Sequence, residues 1–210
     1  MKLYRRKPME PIVYIRKYDE LTEKQKYEMH TLRYDVFVRR LRWSLNTENQ
    51  LDIDEYDRPD AKFIVIEYQD KVVACWRLIH ADTPYMLKHT FPELLQGESF
   101  DDHNVIELSR FAVDREVSKQ ASHINFTELL FYLVVQYGFE QGFTTFITPT
   151  TTGIERIMRH VGIPNQRIGD GKIRMLEHTK SVALRVPINE ALRNWFTNAS
   201  INQHRLDRAG

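Results

Sequence analysis

The pattern of apolar and polar positions in the first third of the chain predicts a strand, a helix and a long loop. Residues 12–18 alternate partly between apolar and polar side chains, which favours a strand at a sheet edge. Thr22 is a suitable N-cap for a helix over residues 24–40, where apolar side chains recur at helical spacing. Both periodicities fail over residues 42–60, so this polar, glycine-free segment is expected to be a long ordered loop.

Strands and helices alternate through the rest of the chain. Two β-rich runs, residues 62–68 and 71–79, are separated by Gln69-Asp70 and predict a β-hairpin. The elements predicted after it are, in order, a short helical region, a strand, a helix, a strand, a helix, two strands and a helix, over residues 85–95, 104–113, 127–139, 144–150, 153–161, 172–176, 182–186 and 188–197. Hairpins combined with alternating strands and helices predict an α/β fold, a mixed sheet flanked by helices.

Length and composition fit one domain over residues 1–210. A chain of 210 residues with 42% hydrophobic content can bury a core without disulfides or a metal ion. We expect loose ends, a basic arm over residues 1–10 and a polar tail over residues 198–210. The formal net charge of +1 argues against a nucleic-acid binder.

Membrane and export signals are missing from the sequence. No apolar run approaches the roughly 18 residues of a membrane span, and the basic N-terminus is not followed by an apolar stretch. The single cysteine, Cys75, lies in an apolar run and is interpreted as a core residue rather than a nucleophile. One cysteine suits a reducing compartment, so we predict the cytoplasm.

Two polar groups near the long loop are candidates for binding. Arg33 and Phe37 are four residues apart on the predicted helix and share a face, so they either grip a substrate or are a surface arginine beside a core phenylalanine. The run Asp52-Ile53-Asp54-Glu55-Tyr56-Asp57 is either a solvated loop or a holder of a cationic substrate, with Trp43 as a nearby π-face. It lacks the ligand pattern and glycine of a calcium loop.

Charged residues inside predicted strands need partners. Arg77 ends the second strand of the hairpin, and Glu107 and Asp57 are its candidate partners. Glu107 and Arg110 would point to opposite faces of a regular strand, so they share a side only if the strand is bulged. A bulge would splay the strand and free backbone N–H groups for an oxyanion, whereas the alternative is a salt-bridged strand.

Histidines and glycines give no further motif. The eight histidines show no metal-ligand spacing, so no metal site is predicted, and His103 is interpreted as a loop residue before the strand of Glu107. The glycines are scattered and form no phosphate-binding loop.

Taken together, these segments resemble the autoinducer synthases, the acyl-homoserine-lactone synthase family of bacterial quorum sensing. The resemblance covers residues 12–190 and follows the family's order. The matching blocks are Arg33-Tyr34-Asp35-Val36-Phe37, Arg40-Leu41-Arg42-Trp43, Asp54-Glu55-Tyr56-Asp57, Cys75-Trp76-Arg77-Leu78, Tyr85-Met86-Leu87, Phe91-Pro92-Glu93-Leu94 and Glu107-Leu108-Ser109-Arg110-Phe111-Ala112-Val113.

The resemblance implies an N-acetyltransferase-like fold whose twisted sheet is splayed at the acyl site. It implies two substrates, S-adenosylmethionine and an acyl chain on acyl carrier protein, and no cofactor or metal. Residues 114–121 lack the glycines of the coenzyme A loop in acetyltransferases, which favours the carrier protein as donor.

The resemblance also implies roles for individual residues. Glu107, Ser109 and Arg110 are the expected catalytic group, and Arg77 is expected to be a buried clamp. The residues expected to bind S-adenosylmethionine are Arg33, Phe37, Trp43, Asp54 and Asp57.

Later segments are expected to bind the acyl donor. Thr150, and next Thr148, match a threonine that goes with acyl chains oxygenated at carbon 3, and Phe111 and Met158 complete the expected acyl pocket. The basic residues Arg156, Arg159, Arg167 and Lys172 are either a dock for the acidic carrier protein or a solvated helix face.

Three alternatives remain open at this stage. The first is an enzyme of the same fold that acylates another amine from an acyl-CoA. The second is a sensor that binds an acyl signal, although such a receptor would usually carry a DNA-binding helix pair. The third is a structural module, which leaves the clustered charges unexplained.

Overall fold

The computed structural model describes residues 9–45 and 47–208, with side chains to residue 199. The strands are β1 Ile12–Lys17, β2 Lys62–Tyr68, β3 Lys71–His80, β4 Val105–Val113, β5 Thr145–Thr151, β6 Gln166–Arg167, β7 Arg174–Leu176 and β8 Thr179–Pro187. The helices are α1 Glu23–Tyr34, α2 Met86–His89, α3 Pro92–Leu95, α4 Arg115–Gln120, α5 Phe126–Gln141, α6 Thr152–His160 and α7 Glu190–Arg208.

The strands form one mixed sheet, as the sequence predicts. Their order is β1-β2-β3-β4-β5-β8-β6, and β7 pairs separately with β8. Neighbours are antiparallel except β4 and β5, which pair in parallel only from Val105–Glu107 to Thr145–Ile147. Beyond that point β5 stays paired with β8 as far as Thr151, so β4 and β5 diverge. The prediction of a splayed sheet is confirmed.

Each face of the sheet has its own apolar core. On one face Met29 of α1 packs with Phe63 and Tyr85, and on the other Leu130 of α5 packs with Phe146. All are almost fully buried, and burying a side chain of this size stabilises the fold by about 1.5–3 kcal/mol.

The start of α1 follows its predicted capping. The hydroxyl of Thr22 accepts a hydrogen bond from the backbone N–H of Gln25 at 3.1 Å, and the Gln25 side chain accepts one from the backbone N–H of Thr22 at 3.1 Å. The predicted helix over residues 24–40 is α-helical only to Tyr34, because Asp35–Arg40 is π-helical. The wider turn is visible in the N–H of Leu41, which donates to the carbonyl of Val36 at 3.0 Å.

Strand β4 contains a bulge, which is the condition that the sequence analysis set for Glu107 and Arg110 to share a side. Cys75 faces Ala112 and Arg77 faces Ser109, so two steps along β3 match three along β4. Arg110 takes up the extra residue with φ +58°, in the left-handed region. The strand therefore turns the Arg110 side chain away from the direction that regular alternation would give it.

Helices α4 and α7 differ from the predictions. Residues 115–120 form α4 because the Asp114 carboxylate caps the backbone N–H groups of Glu116 and Val117. Helix α7 continues to Arg208, beyond its predicted end at residue 197, so most of the expected loose tail is helical. Most of the predicted basic arm, residues 1–8, lies outside the described residues.

Cys75 lies in the core, as predicted, with 1% of its surface exposed, and burial raises the pKa of its thiol to about 12. Within the described part of the chain, no helix has the length and apolarity needed to cross a membrane.

Candidate active site

Three arginines and three aspartates meet beneath the sheet where β3 and β4 lie beside the long loop. Arg33 of α1 is fully buried, and its guanidinium lies 3.1 Å from Asp52, 2.7 Å from Asp57 and 3.5 Å from Asp54. Six buried or nearly buried charges in contact are costly unless they are paired, which explains why one guanidinium is shared by several carboxylates. The Arg33 guanidinium is therefore engaged in ion pairs with these aspartates.

Arg77 and Arg110 extend the network to the two strands. Arg77, on β3, contacts Asp54 and lies 2.8 Å from Asp57, while its Nε donates to the Ser109 hydroxyl at 3.1 Å. Arg110, on β4, lies 3.0 Å from both Asp52 and Asp54. Asp57, one of the two predicted partners of Arg77, therefore does pair with it. Glu107, the other candidate, makes no ion pair with Arg77, because it hydrogen-bonds to backbone N–H groups instead.

The network keeps Asp52 and Asp57 ionised. Burial alone would raise the pKa of Asp52, but the charges of Arg33 and Arg110 outweigh it and hold that pKa below its usual value. Burial acts against Asp57 in the same way, and Arg33 and Arg77 lower its pKa well below the usual range. At neutral pH Asp52 and Asp57 are therefore carboxylates that offset the charge of the arginines.

Glu107 lies apart from the ion pairs and is fully buried. Its carboxylate accepts hydrogen bonds from the backbone N–H groups of Met86, at 3.1 Å, and Leu87, at 2.5 Å. Burial raises the pKa of Glu107, and the N–H of Leu87 and the charge of Arg77 oppose that rise. Arg110 also approaches Met86, with Nη1 at 3.8 Å from the sulfur, so Glu107 and Arg110 reach the same side of the strand.

A cavity of about 220 Å³ opens between the diverging strands. Of the predicted catalytic residues, only Arg110 lines it, whereas Glu107 and Ser109 lie behind the wall. Of the residues predicted to bind S-adenosylmethionine, Phe37 and Trp43 line it. Asp54 contacts Arg110 from behind the lining, and Arg33 and Asp57 belong to the ion-pair network there.

Aromatic rings form one wall of the cavity. The ring centroids of Phe37 and Trp43 are 5.6 Å apart, and Phe91 follows at 5.9 Å from Trp43. The guanidinium carbon of Arg110 lies 5.0 Å above the Phe37 ring. The Trp43 indole donates to the Thr179 hydroxyl at 2.8 Å, which fixes the orientation of the indole.

The predicted acyl pocket is placed only in part along the cavity. Phe111 and Thr150 line it. Thr148 is buried with 3% exposure and Met158 lies in the core beside α5, so neither borders the cavity. Between the two candidate threonines, the geometry favours Thr150.

The predicted basic surface contains paired and unpaired members. Glu155 contacts Arg167 at 2.8 Å and Arg159 at 2.6 Å. Lys172 lies 3.5 Å from Asp170. Arg156 is exposed and has no ion-pair partner among the residues with described side chains. Arg156 is therefore the member most available to an acidic partner.

Several residues of this region were missed by sequence reasoning. Asp52 was not predicted as a site residue, although it belongs to the same acidic run as Asp54. Its position two residues before Asp54 is the signal that could have identified it. Met86 and Phe91 line the cavity and belong to matching blocks without a role assigned to them. Arg40 and Arg115 also line it. The sequence gives no sign that those two arginines border one cavity, because they belong to different elements.

The open mixed sheet with a cavity between diverging strands defines an N-acetyltransferase-like fold. The crystal structure of the acyl-homoserine-lactone synthase LasI superposes with a TM-score of 0.81 at 32% identity, covering 90% of this chain and 95% of that one. The structure of TofI, in a ternary complex with an inhibitor and MTA, gives a TM-score of 0.75 at 26% identity and covers 88% and 96%.

Sequence comparison narrows the class to a family. The autoinducer synthase family model matches residues 17–195. An acyl-homoserine-lactone synthase of Aliivibrio fischeri is 44% identical over 173 residues, which span 80% of this chain and 89% of the relative. The chain belongs to the autoinducer synthase family. It is therefore an acyltransferase that produces acyl-homoserine-lactone signals for quorum sensing.

Proposed function

We propose that the enzyme transfers an acyl chain, oxygenated at carbon 3, from acyl carrier protein to the amine of S-adenosylmethionine. The acylated intermediate then closes to the lactone and releases methylthioadenosine. The observation that carries this proposal is Arg110, which faces an aromatic cavity at the divergence of β4 and β5 while Asp52 and Asp54 hold it. The complex of TofI with MTA, at 26% identity, supports the same small-molecule chemistry.

The aromatic wall suits the adenosyl part of S-adenosylmethionine. Phe37 and Trp43 offer flat faces for the adenine, and π-faces also attract a sulfonium. Arg110 is placed to pair with the substrate carboxylate. Arg33 and Arg77 act as positioning residues. Arg33 pairs with Asp52 and Arg77 pairs with Asp54, and these two aspartates hold Arg110.

Acyl transfer needs a neutral amine and a stabilised oxyanion. Free α-amines titrate at about 7.7–8.0, so a modest base suffices. Glu107 is our candidate to organise that proton, through a water, because its carboxylate lies behind the cavity wall. From Leu108 onward β4 has no partner on the side of β5, so backbone N–H groups near Ser109–Phe111 are candidate donors to the tetrahedral oxyanion.

In this scheme the nitrogen of the amine attacks the thioester carbon, the amine proton leaves, and the carrier's thiolate departs. The substrate carboxylate then attacks its own γ-carbon, and the carbon–sulfur bond breaks as methylthioadenosine leaves. The sulfonium is already a good leaving group, so this second step chiefly requires a folded substrate. The scheme uses no cofactor and no metal ion.

The acyl chain is proposed to lie between β4 and β5. Phe111 offers an apolar contact, and the hydroxyl of Thr150 is available to hydrogen-bond an oxygen on carbon 3. Phe126, Leu130 and Met158 are buried behind this wall and limit the depth available to the chain.

The carrier protein is the proposed donor for two reasons. Residues 114–120 form a capped helix without glycine, unlike a coenzyme A pyrophosphate loop. The exposed Arg156, with Arg159 and Lys172, offers a positive surface to an acidic carrier. The proposal includes the cytoplasm as the compartment, since a single buried cysteine suits reducing conditions.

The central test is to incubate the enzyme with S-adenosylmethionine and a panel of acyl donors. The panel pairs 3-oxo-acyl and plain acyl chains of equal length on carrier protein and on coenzyme A, and mass spectrometry identifies the products. We expect 3-oxo-acyl-homoserine lactone and methylthioadenosine from the carrier-protein donor. Preference for coenzyme A donors would refute the donor assignment, and absence of any lactone would refute the reaction.

Charge reversal tests the docking surface separately. Arg156→Glu should raise the KM for acyl carrier protein and leave the KM for S-adenosylmethionine unchanged. Lys24→Glu is the matched control, because Lys24 is an exposed base near the N-terminus of α1, next to Asp70. Equal carrier KM values for the two variants would exclude Arg156 from the dock.

A further inference from the structure

Three side chains outside the acyl site meet where the chain leaves β3 and enters β4. His80 is the last residue of β3, Asp82 follows two residues later, and His103 lies two residues before β4. Antiparallel pairing of β3 with β4, continued by the N–H of Ala81 bonding to the carbonyl of Val105 at 2.9 Å, brings these ends together. One nitrogen or oxygen donor atom from each of the three side chains lies within 4.8 Å of the others.

The hydrogen bonds of the two histidines define which nitrogen is available. Nδ1 of His80 is 2.8 Å from the backbone carbonyl oxygen of His103. A carbonyl only accepts, so Nδ1 of His80 carries the proton and Nε2 keeps its lone pair. A metal-binding histidine is typically held in this way, with its other ring nitrogen donating to a carbonyl or carboxylate.

Asp82 and His103 are already arranged as a pair of ligands. Nδ1 of His103 is 2.9 Å from a carboxylate oxygen of Asp82. Two ligand atoms on a tetrahedral Zn²⁺ ion are roughly 3.3 Å apart, given bond lengths of about 2.0 Å. An ion can therefore replace the shared proton with little change in the distance between these two ligand atoms. The imidazole planes of His80 and His103 are stacked at 4.2 Å and 7°. A metal ion lies close to the plane of each imidazole that binds it, so the exposed His103 ring has to rotate out of the stack for both rings to bind one ion.

We propose that Nε2 of His80, a carboxylate oxygen of Asp82 and Nδ1 of His103 bind a divalent transition-metal ion of the zinc class. The proton of a neutral His103 ring moves from Nδ1 to Nε2, so a neutral ring releases no net proton. Two imidazoles and one carboxylate favour zinc, cobalt or nickel over calcium and magnesium, which prefer oxygen ligands. The His103 and Asp82 side chains are 68% and 40% exposed, so they are free to close on the ion and water can fill the remaining position.

The site lies at the base of a segment that supports the acyl site. Residues 81–104 contain Met86 and Leu87, whose backbone N–H groups hold Glu107. An ion joining His80 to Asp82 and His103 ties the two ends of this segment together without touching the cavity lining. The expected effect is on stability, and the inference does not depend on the proposed reaction.

Calorimetric titration of the untagged full-length chain with Zn²⁺, and the visible absorption of bound Co²⁺, test the site at neutral pH. We expect one ion per chain and a melting temperature that rises with added ion. The variants His80→Gln, Asp82→Asn and His103→Gln should each weaken binding by about tenfold or more. His123→Gln, at an exposed histidine elsewhere, is the control and should bind as the parent does.

Two results would overturn the site. One is the absence of a single saturable ion at free Zn²⁺ on the order of 100 µM, a generous limit for three protein ligands. The other is binding that the three variants leave unchanged, which would place the ion elsewhere on the surface. Urea unfolding of each variant without metal shows whether it is folded, so a loss of binding is assigned to the ligands.

Discussion

Arg110 reaches Asp52, with Nε 3.0 Å from a carboxylate oxygen, because the bulge in β4 places Arg110 at φ +58°. The same guanidinium lies 3.0 Å from Asp54 and borders the cavity. One residue thus joins the buried charges to the space where substrate is proposed to bind. This relationship makes Arg110 sensitive to the shape of its side chain as well as to its charge.

Arg110→Lys keeps the charge but removes the planar group that contacts two aspartates. We expect kcat/KM for S-adenosylmethionine to fall about 10- to 160-fold, the loss of one charged hydrogen bond worth about 1.5–3 kcal/mol. Steady-state kinetics at saturating acyl donor measure the change. Arg39→Lys is the control, since Arg39 makes an exposed ion pair with Asp35, and comparable kinetics for the two variants would contradict the role of Arg110.

Asp57→Asn should remove part of the acid sensitivity of the fold. The pKa values of Asp52 and Asp57 in the folded chain lie below the ordinary 3.8, so the unfolded chain binds protons first as pH falls. Stability that is present above pH 3.8 is therefore lost as pH drops toward the folded pKa values.

At neutral pH we expect Asp57→Asn to cost about 3–5 kcal/mol, because the buried Arg33 and Arg77 each lose a carboxylate. The difference from the parent should shrink as pH falls below 3.8. Urea unfolding at several pH values follows both effects. A gap that stays constant down to acid pH would show that the Asp57 pKa is not lowered by folding.

Thr150→Val tests the hydroxyl proposed to bind the oxygen on carbon 3. Valine keeps the shape of threonine and removes the hydroxyl, so the ratio of 3-oxo to plain acyl products should fall when both donors compete. One hydrogen bond worth about 0.5–1.5 kcal/mol predicts a change of roughly 2- to 12-fold. Thr150→Ser retains the hydroxyl and should preserve the ratio. An unchanged ratio in the valine variant would reject this role for Thr150.

Gly138→Ala should destabilise the fold by overpacking. A Cβ at Gly138 would lie 2.4 Å from the ring of Phe146 and 3.0 Å from Ile188, where α5 crosses the sheet. We expect a loss of about 1–3 kcal/mol, measured by urea unfolding. Gly153→Ala is the comparison, because the nearest atom there is 3.4 Å away, on the Thr151 side chain. A neutral Gly138→Ala would mean that Phe146 can move aside.

The fold and the site were predictable to different degrees. The hairpin of β2 and β3 followed from β-rich runs around two turn residues. The bulge in β4 was predicted only as a condition, since Glu107 and Arg110 share a side only if the strand is bulged. The π-helical turn after Tyr34 was not predictable, because its hydrogen bonds depend on packing around Phe37 rather than on local pattern. The capped helix α4 was missed, although Asp114 followed by Glu116 was an available signal.

Partner choice within the site was the least predictable part. Arg33, Asp54 and Asp57 lie together in one ion-pair network, but the sequence does not say which charges face one another. Asp52 joined the network because the long loop returns beside α1, where its backbone also bonds to His30. Thr148 and Thr150 are two residues apart on one strand, so the sequence does not show which of them lines the cavity. Only the three-dimensional path of β5 distinguishes the two.

The buried cysteine has a practical consequence for studying motion in solution. Cys75 is the single thiol in the sequence, and its raised pKa of about 12 leaves it almost entirely unreactive toward alkylating dyes at neutral pH. A cysteine introduced at an exposed position, such as Lys172, would therefore carry a fluorophore or spin label without removal of the native thiol. Distances from such a label could report how the face around Arg156 responds when a carrier protein arrives.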